Sequence, residues 1–187
     1  MSDTKRSPKE IVEKRIAVAV RSKAPGLDLK GLGLIELPES VGQLKELRSL
    51  YLDDNQLELL PKCLAQLKKL QFLSVANNRI ETFPAWMERL SQLKSLSLAG
   101  NQLASLPESV GRLPHLQWFD LSGNQLASLP KSLRQLKHLR ELYLHENPLL
   151  GIPSEILGVA PRESGEPAPA AAILEYYFAK LIEHPGA

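Results

Sequence analysis

A repeat of 23 residues runs through most of this sequence and restricts the folds that the chain can adopt. The segment GNQLASLP occurs at residues 100–107 and again at 123–130. Prolines and asparagines recur at the same spacing, each in a register of its own. The prolines are Pro38, Pro61, Pro84, Pro107, Pro130 and Pro153, and the asparagines are Asn55, Asn78, Asn101, Asn124 and Asn147. Such a period indicates an elongated array in which each unit packs only against its neighbours.

The unit LxxLxLxxNxLxxLPxxLxxLxx predicts its own local structure. Leu50 and Leu52 alternate with polar residues, which indicates a short strand with one buried face. The asparagine after the strand turns the chain, and its amide can bond the backbone of adjacent turns to form a ladder. After Pro61, Leu64 and Leu67 are three residues apart and indicate a turn of α or 3₁₀ helix. Strands on one side and bulkier segments on the other predict a right-handed arc with a concave parallel sheet.

This unit resembles the leucine-rich repeat, whose period is roughly 20–29 residues. We therefore predict an α/β fold, a leucine-rich-repeat solenoid with helical caps at both ends. The predicted divisions are an N-terminal capping helix at residues 1–23, six repeats at 24–160, and a Pro-rich linker with a C-terminal capping helix at 161–187. The first repeat has Leu32 where the others have asparagine, as expected because terminal repeats are usually atypical.

The N-terminal cap is predicted from the segment SPKEIVEKRIAVAVRSK. Ser7 and Glu10 have the spacing of a capping box, and Pro8 occupies the first helical position. The apolar stripe of this helix consists of Val12, Ile16, Ala19 and Val20. We expect the stripe to cover the open edge of the solenoid beside Leu27 and Leu29, because an uncovered edge exposes the core.

The C-terminal cap is predicted from the segment AAILEYYFAKL at residues 171–181. Its apolar positions share one helical face and are Ile173, Leu174, Tyr177, Phe178 and Leu181. This face is expected to pack on the last repeat around Leu149, Ile152 and Ile156. The preceding segment, VAPRESGEPAPA, is rich in proline, glycine and charge, which is typical of a loop or linker.

The strand residues that point away from the core form three columns across the concave sheet. The predicted partner-binding residues are Tyr51, Asp53, Phe72, Ser74, Ser97, Trp118, Asp120, Glu141, Tyr143 and His145. Exposed aromatic side chains beside acidic groups are typical of protein-binding hot spots. Small residues in repeats three and four predict a shallow trough with aromatic walls. The alternative interpretation is that the aromatic residues only pack on each other across the strands.

Other reactive residues do not combine into a site. His115 and His138 occupy equivalent positions in adjacent repeats and are expected to lie side by side, but two ligands make a poor metal site. Cys63 is expected to be an ordinary free thiol. His145 and Asp120 lack a nucleophile and a closed pocket. We therefore predict no catalytic residue, no metal and no cofactor.

The net charge, the apolar segments and the cysteine count indicate which partners and which cellular location to expect. The formal net charge of +2 comes from 23 basic and 21 acidic residues, which gives no electrostatic footprint for nucleic acid or membrane. The charged start lacks the apolar core of a signal peptide, and no apolar run is long enough to span a bilayer. A single cysteine favours a reducing compartment, so we predict a cytoplasmic protein.

The whole series resembles the intracellular 23-residue class of leucine-rich repeats, which includes Ras-associated scaffolds, plant intracellular repeats and the repeat arms of Roco proteins. The segment NPLLGIPSEILG, a Pro-rich spacer and AAILEYYFAKL are similar to the junction that precedes the GTPase domain in bacterial Roco proteins. No G-x-x-x-x-G-K-[ST] phosphate-binding loop occurs in the sequence. The resemblance therefore implies a protein-contacting arm, with a small GTPase or a GTPase domain as a possible partner, and not GTP hydrolysis.

Three functional hypotheses follow. The leading one is a non-catalytic scaffold in intracellular signalling that binds a protein partner on its concave face. The second is a regulatory arm of a Roco-type GTPase, in the same chain or in another. The third is a secreted bacterial effector, which is weakened because such repeats are often joined to an enzyme domain.

Overall fold

The computed structural model of the chain describes residues 7–161 and 166–183. The outer parts of the predicted caps, at residues 1–6 and 184–187, and residues 162–165 of the predicted linker lie outside these ranges. The helices are α1 (Pro8–Ser22), α2 (Ser154–Leu157) and α3 (Ala170–Glu183). The strands are β1 (Gly26–Asp28), β2 (Ser49–Tyr51), β3 (Phe72–Ser74), β4 (Ser95–Ser97), β5 (Trp118–Asp120) and β6 (Glu141–Tyr143).

Within the described residues, six strands form one parallel sheet in the order β1 to β6. Each strand pairs with the next at equivalent positions, so that Leu27 is opposite Leu50 and Leu50 is opposite Leu73. Paired residues on neighbouring strands are therefore 23 positions apart, which is the period of the sequence. The predicted solenoid with a parallel sheet is confirmed.

Each of the first five strands returns to the next through a short 3₁₀ helix that begins directly after a repeat proline. These helices are Glu39–Gln43, Lys62–Gln66, Ala85–Arg89, Glu108–Arg112 and Lys131–Gln135. Pro61 has a φ of −69°, and its carbonyl accepts a hydrogen bond from Leu64 N at 3.2 Å. Proline suits this position because its ring fixes φ near that value and the first turn needs no donor from it.

One apolar core runs the length of the solenoid, from Val12 in α1 to Phe178 in α3. In a typical repeat, Leu50, Leu52 and Leu57 are fully buried. Phe119 occupies a strand position that is leucine elsewhere and meets Phe83 edge to face, with ring centroids 6.5 Å apart. Burial of so many leucines is the main stabilising contribution, at roughly 2 kcal/mol for each side chain.

The asparagine after each strand forms the predicted ladder. The Asn101 amide donates to the carbonyls of Val75, Leu98 and Ala99 at 2.9, 3.0 and 3.2 Å. Its Oδ1 accepts from Ile80 N at 2.9 Å. Each ladder asparagine thus joins the turn of its own repeat to the turn of the preceding one, where buried backbone groups would otherwise lack partners.

The first repeat has no ladder asparagine, and Asn55 of the second repeat forms hydrogen bonds to its backbone groups. Leu32 N and Leu34 N both donate to Asn55 Oδ1, at 3.1 and 3.0 Å. The Asn55 amide also donates to Leu29 O at 2.9 Å. The ladder bonds reach back by one repeat, so the repeat at the N-terminal end needs no amide of its own.

The N-terminal cap has the predicted structure with one correction. Ser7 and Glu10 form a capping box, with Glu10 N donating to Ser7 Oγ and Ser7 N donating to Glu10 Oε2. Val12, Ile16 and Ala19 are buried, and α1 packs on β1 and the first 3₁₀ helix. The prediction that Val20 belongs to the buried stripe is wrong, because 36% of this residue is exposed.

The C-terminal cap also packs as predicted at most positions. Helix α3 buries Ala170, Ile173, Leu174, Tyr177 and Phe178. It lies against β6, α2 and the 3₁₀ helix at Lys131–Gln135. Leu181 and the proposed contact residue Leu149 are 43% and 67% exposed, so both predictions are wrong. The helix also contacts the fifth repeat, where Tyr177 Oη accepts a hydrogen bond from Leu129 N at 3.1 Å.

The described end of the predicted linker is bound to the edge of the sheet. Residues 167–169, called the edge strap here, form antiparallel bridges through Pro167 to Gly158 and through Pro169 to Glu141. Directly after the strap, Ala170 N donates to Arg140 O at 3.0 Å. A strand at the edge of a sheet leaves backbone groups unpaired, and prolines are tolerated in a segment that covers such an edge.

The ladder yields a stability prediction. Asn101→Ala removes four hydrogen bonds to buried backbone groups, so the free energy of unfolding should fall by about 2–4 kcal/mol. Gln102→Ala, at an exposed neighbouring position, is the control and should change it by about 0.5 kcal/mol or less. Urea denaturation of both variants checks this. Equal effects would contradict a structural role for the ladder.

The C-terminal cap offers a matched pair of tyrosines. Tyr177→Phe leaves the buried amide of Leu129 without its partner, so we expect a loss of about 1–2 kcal/mol in unfolding free energy. Tyr176→Phe removes the same hydroxyl from a half-buried position and should have little effect. Thermal melts followed by circular dichroism distinguish the two variants, and an equally stable Tyr177→Phe protein would refute the contact.

Candidate functional site

The concave face of the sheet contains a continuous trough with a volume of about 650 Å³. Most of the predicted partner-binding residues line it. They are Tyr51, Asp53, Phe72, Ser74, Ser97, Trp118, Asp120 and His145. The strand register brings them together, because equivalent positions of successive repeats are adjacent across the sheet.

The trough has aromatic walls and a floor of small residues. Tyr51 and Phe72 are 36% and 42% exposed, and Trp118 is half-buried. The floor between Phe72 and Trp118 is formed by small side chains, which are Ser74, Ala76, Ser95, Ser97 and Ala99. Exposed aromatic area next to a recess is the arrangement found at protein-binding surfaces.

Tyr143 and Glu141 do not line the trough. Tyr143 lies on the predicted face, but it is only 6% exposed, so the expectation that it forms an open wall is wrong. Its ring packs on Trp118 at a centroid distance of 5.7 Å, and its hydroxyl donates to Glu141 Oε2 at 2.7 Å. At this position the alternative interpretation, aromatic packing across strands, describes the structure. Burial, and next the hydrogen bond to Glu141, raise the pKa of Tyr143 to about 12.

A lysine that was not among the predicted site residues organises one end of the trough. Lys30 Nζ lies 2.9 Å from Asp53 Oδ2 and 4.8 Å from the centroid of the Tyr51 ring. The hydrogen bond to Asp53 raises the pKa of Lys30. The other carboxylate oxygen of Asp53 accepts from Ser74 Oγ and from Ala76 N. The sequence contained a signal for this ion pair, because Lys30 precedes Asp53 by one repeat in the same column of outward-facing positions.

A row of residues in the left-handed backbone region was also missed, and all of its members except Gly31 form the rim of the trough. Its members precede the ladder position of each repeat and are Gly31, Asp54, Asn77, Gly100, Gly123 and Glu146. Asn77 Nδ2 donates to Asp54 Oδ1 at 2.8 Å. A Cβ at Gly100 would lie 2.4 Å from Asn77 Oδ1, so a larger residue there would displace the Asn77 side chain. Glycine, asparagine and aspartate favour this backbone conformation, so their recurrence before the ladder position was the sequence signal for the row.

Asp120 and His145 have structural contacts of their own. Asp120 is 6% exposed, and its Oδ1 accepts from Ser122 N at 3.0 Å. His145 Nε2 lies 3.0 Å from Gly158 O, which ties the last repeat to the segment that closes it. The His145 ring also packs near Tyr143, with centroids 6.3 Å apart. These contacts fix both side chains at the C-terminal end of the trough.

The remaining candidates lie away from the trough. The rings of His115 and His138 are side by side, 6.0 Å apart. Among the described residues, no group of three or more histidine, cysteine or acidic side chains has the geometry to hold a metal ion. Cys63 is buried, and this burial raises the pKa of its thiol to about 11. The nucleophilic thiolate is therefore a minor species at neutral pH. Of the described helices, none has both the length and the apolar character required to cross a bilayer.

The comparisons with known proteins agree with this architecture. The family model described as leucine rich repeat matches residues 45–103 and 91–149, which together make up more than half of the chain. The chain belongs to the leucine-rich repeat family. Among curated proteins, no relative matches it.

A solved leucine-rich-repeat protein from Leptospira interrogans is similar to the chain, with 42% sequence identity and a TM-score of 0.66. The match covers 69% of this chain and 33% of the other. The similar region therefore amounts to about a third of the length of the Leptospira protein. This likeness supports the solenoid fold and does not extend to the rest of that protein.

The raised pKa of Tyr143 gives a pH prediction. The folded chain holds the phenol proton more tightly than the unfolded chain does, so stability should fall as pH rises from 10.0 to about 12. Tyr143→Phe removes this contribution and should flatten the decline. The Cys63 thiol titrates partly in the same range in both proteins, so the difference between them isolates Tyr143. Urea unfolding across this range provides the measurement, and identical slopes would contradict the assignment.

Proposed function

We propose that the chain is a non-catalytic interaction module that holds a protein partner in its concave trough. The observation that carries the proposal is the continuous recess, with exposed aromatic walls formed by Tyr51 and Phe72 and a floor of serine and alanine. The aromatic side chains of the walls lie on strands whose register is fixed by the asparagine ladder, so the surface is preorganised for binding.

The dimensions suit a short stretch of polypeptide. Adjacent strands are about 4.8 Å apart, so the three steps from Tyr51 on β2 to Trp118 on β5 span about 14 Å. An extended segment covers that distance with about four or five residues. Its side chains would alternate between the small-residue floor and solvent, because successive side chains of an extended segment point to opposite sides.

The side chains of the trough support a binding role over a catalytic one. The Asp53 carboxylate is paired with Lys30 and accepts a hydrogen bond from Ala76 N. Asp120 accepts a hydrogen bond from Ser122 N and is largely buried. Carboxylates held by hydrogen bonds and ion pairs in this way position the surface, and a general acid or base needs a free path to a reacting group.

The cellular setting is part of the proposal. The free, buried Cys63 is compatible with a reducing cytoplasm, where an intracellular signalling scaffold would work. The 42% identity to the Leptospira protein supports a bacterial origin. A small GTPase, or a GTPase domain, is the partner that the Roco-like series of repeats favours.

The test of the trough is substitution of its most exposed aromatic residue. Phe72→Ala should reduce capture of the protein partner from an extract of the source organism by about tenfold or more, because exposed aromatic residues dominate binding energy. Leu59→Ala, which removes an apolar side chain that is 65% exposed outside the trough, is the control. Both variants should melt like the parent. Undiminished capture by the Phe72 variant would overturn the concave site.

A second candidate function is that of a regulatory arm attached to a Roco-type GTPase. It is favoured by the C-terminal part of α3, where Leu181 and Ile182 are 43% and 79% exposed next to the buried Tyr177 and Phe178. One face of the helix thus seals the solenoid, while its end presents apolar side chains on which a following domain could pack. The coding sequence beyond residue 187 tests this candidate. A phosphate-binding loop there would support the same-chain form, and a stop codon at that point would exclude it.

A further inference from the structure

Basic residues are concentrated in the five short segments that lead into strands β2 to β6. These segments are residues 45–48, 68–71, 91–94, 114–117 and 137–140. They contain seven lysines or arginines and one acid, which gives a formal charge of +6 and leaves −4 for the rest of a chain whose total is +2. The expectation of no membrane partner was drawn from the small total, which hides this separation of charge.

The parallel register brings the five segments together at one edge of the sheet, called the basic edge here. Backbone hydrogen bonds of 2.8 or 2.9 Å connect successive segments through the residue before each strand, and these residues are Arg48, Gln71, Lys94, Gln117 and Arg140. Because neighbouring strands are about 4.8 Å apart, Arg48, Lys94 and Arg140 stand at intervals of about 10 Å. The other basic residues of the segments lie two or three positions earlier and are Lys45, Lys68, Lys69 and Lys137. The positive charge is therefore spread over an area and not along a single line.

The basic edge presents charge and little apolar surface. All seven of its lysines and arginines are exposed. The leucine of each segment belongs to the core instead, with Leu47, Leu70, Leu93 and Leu116 buried and Leu139 half-buried. The segments contain no phenylalanine, tyrosine or tryptophan. Protein hot spots and stacking sites for nucleic-acid bases both depend on such side chains, so this edge suits a partner that is bound through charge alone.

Most of the positive charge is not neutralised within the part of the chain that the structure describes. Four of the basic side chains have no hydrogen bond or ion pair to any described residue, and they are Arg48, Lys94, Lys137 and Arg140. The one acid of the edge, Glu46, pairs with Lys69 at 2.6 Å. The hydrogen bond from Lys69, followed by the charges of Lys69, Lys23 and Arg48, lowers the pKa of Glu46. Even this carboxylate therefore lies in a positively charged surrounding.

We infer that the basic edge docks on a membrane surface that contains anionic phospholipids. Such a surface attracts each lysine or arginine that lies near it, and clusters of about four to eight basic residues are typical of this contact. Duplex DNA carries one charge per about 1.7 Å of its axis, which is far denser than the intervals of about 10 Å on the edge. Nucleic acid, an acidic protein and a second copy of the chain are the competing occupants.

This contact goes beyond the proposed function and does not depend on it. None of the five segments contributes to the described lining of the trough. A chain docked through the basic edge would therefore keep Tyr51 and Phe72 accessible, and a protein bound in the trough would be held close to the lipid surface.

Flotation of the full chain with lipid vesicles tests the inference. Vesicles of phosphatidylcholine with about 30% phosphatidylglycerol should carry the chain, and vesicles of phosphatidylcholine alone should not. Raising the salt from about 0.1 M to about 1 M should release the bound chain, because the Debye length falls from about 10 Å to about 3 Å. Equal recovery with the two kinds of vesicle, or binding that resists salt, would overturn the inference.

A triple variant locates the contact. Arg48→Gln with Lys94→Gln and Arg140→Gln should weaken partition onto the anionic vesicles by about tenfold or more, since each basic residue near the surface contributes to the attraction. These exposed side chains have no contacts to lose among the described residues, so the variant should melt like the parent. Unchanged partition of a folded variant would refute the basic edge as the docking surface.

The matched control removes three positive charges from exposed positions outside the basic edge. It carries Lys62→Gln, Arg79→Gln and Lys131→Gln, and its partition should change by about twofold or less because salt screens distant charges. Equal weakening by the two triple variants would mean that only net charge matters, against the inference.

The competing occupants give different results. If a short DNA duplex or poly-glutamate binds the chain more tightly than the anionic vesicles do, the edge serves another polyanion and the inference fails. If sedimentation shows a dimer that the edge variant dissociates, the occupant is a second copy, and the inference also fails. Phe72→Ala should leave vesicle binding unchanged, and loss of vesicle binding in that variant would contradict a contact separate from the trough.

Discussion

The structure depends on a buried amide that serves two repeats at once. Each ladder asparagine donates to carbonyls in its own turn and in the turn before it, as Asn78 does to Val75 O and Leu52 O. Its side-chain oxygen accepts from an amide of the preceding repeat, which for Asn78 is Leu57 N. These backbone groups lie in the interior, where an unpaired donor or acceptor costs about 1–3 kcal/mol. The amides therefore hold successive turns at one spacing, and the strands and 3₁₀ helices follow that spacing.

The trough is a consequence of this fixed spacing. Because the register is constant, three outward positions per repeat decide what the concave face presents. Aromatic residues in the second, third and fifth repeats, with serine and alanine between them, produce walls and a recess without any change in the backbone. The rim residues Asp54, Asn77 and Glu146 add polar groups in a conformation that non-glycine residues rarely adopt. The chemical character of the concave face is thus set by side chains on a backbone that does not vary.

The periodic features and the two cap helices could be predicted from the sequence, and several contacts that occur only once could not. The asparagine and proline registers specified the sheet, the ladder and the return helices, and strand alternation placed Tyr51, Phe72 and Trp118 on the concave face. Alternation gives the face of a residue but not what covers it, so the burial of Tyr143 under its contacts with Trp118 and Glu141 was missed. The edge strap was missed for a related reason, since a Pro-rich composition is typical of linkers whether or not the segment pairs with an edge.

The edge strap has a consequence for how such a protein changes length during evolution. Pro169 bridges Glu141 on the last strand, and α1 packs on the first, so both edge strands of the described sheet already have a neighbour where a further unit would be added. Interior boundaries, in contrast, are nearly interchangeable, because each repeat meets the next through the same register. Duplication or loss of whole 23-residue units within the array would preserve both terminal pieces while it lengthens or shortens the trough. The two ends would be inherited as fixed parts, and the number of repeats would be the variable on which selection acts.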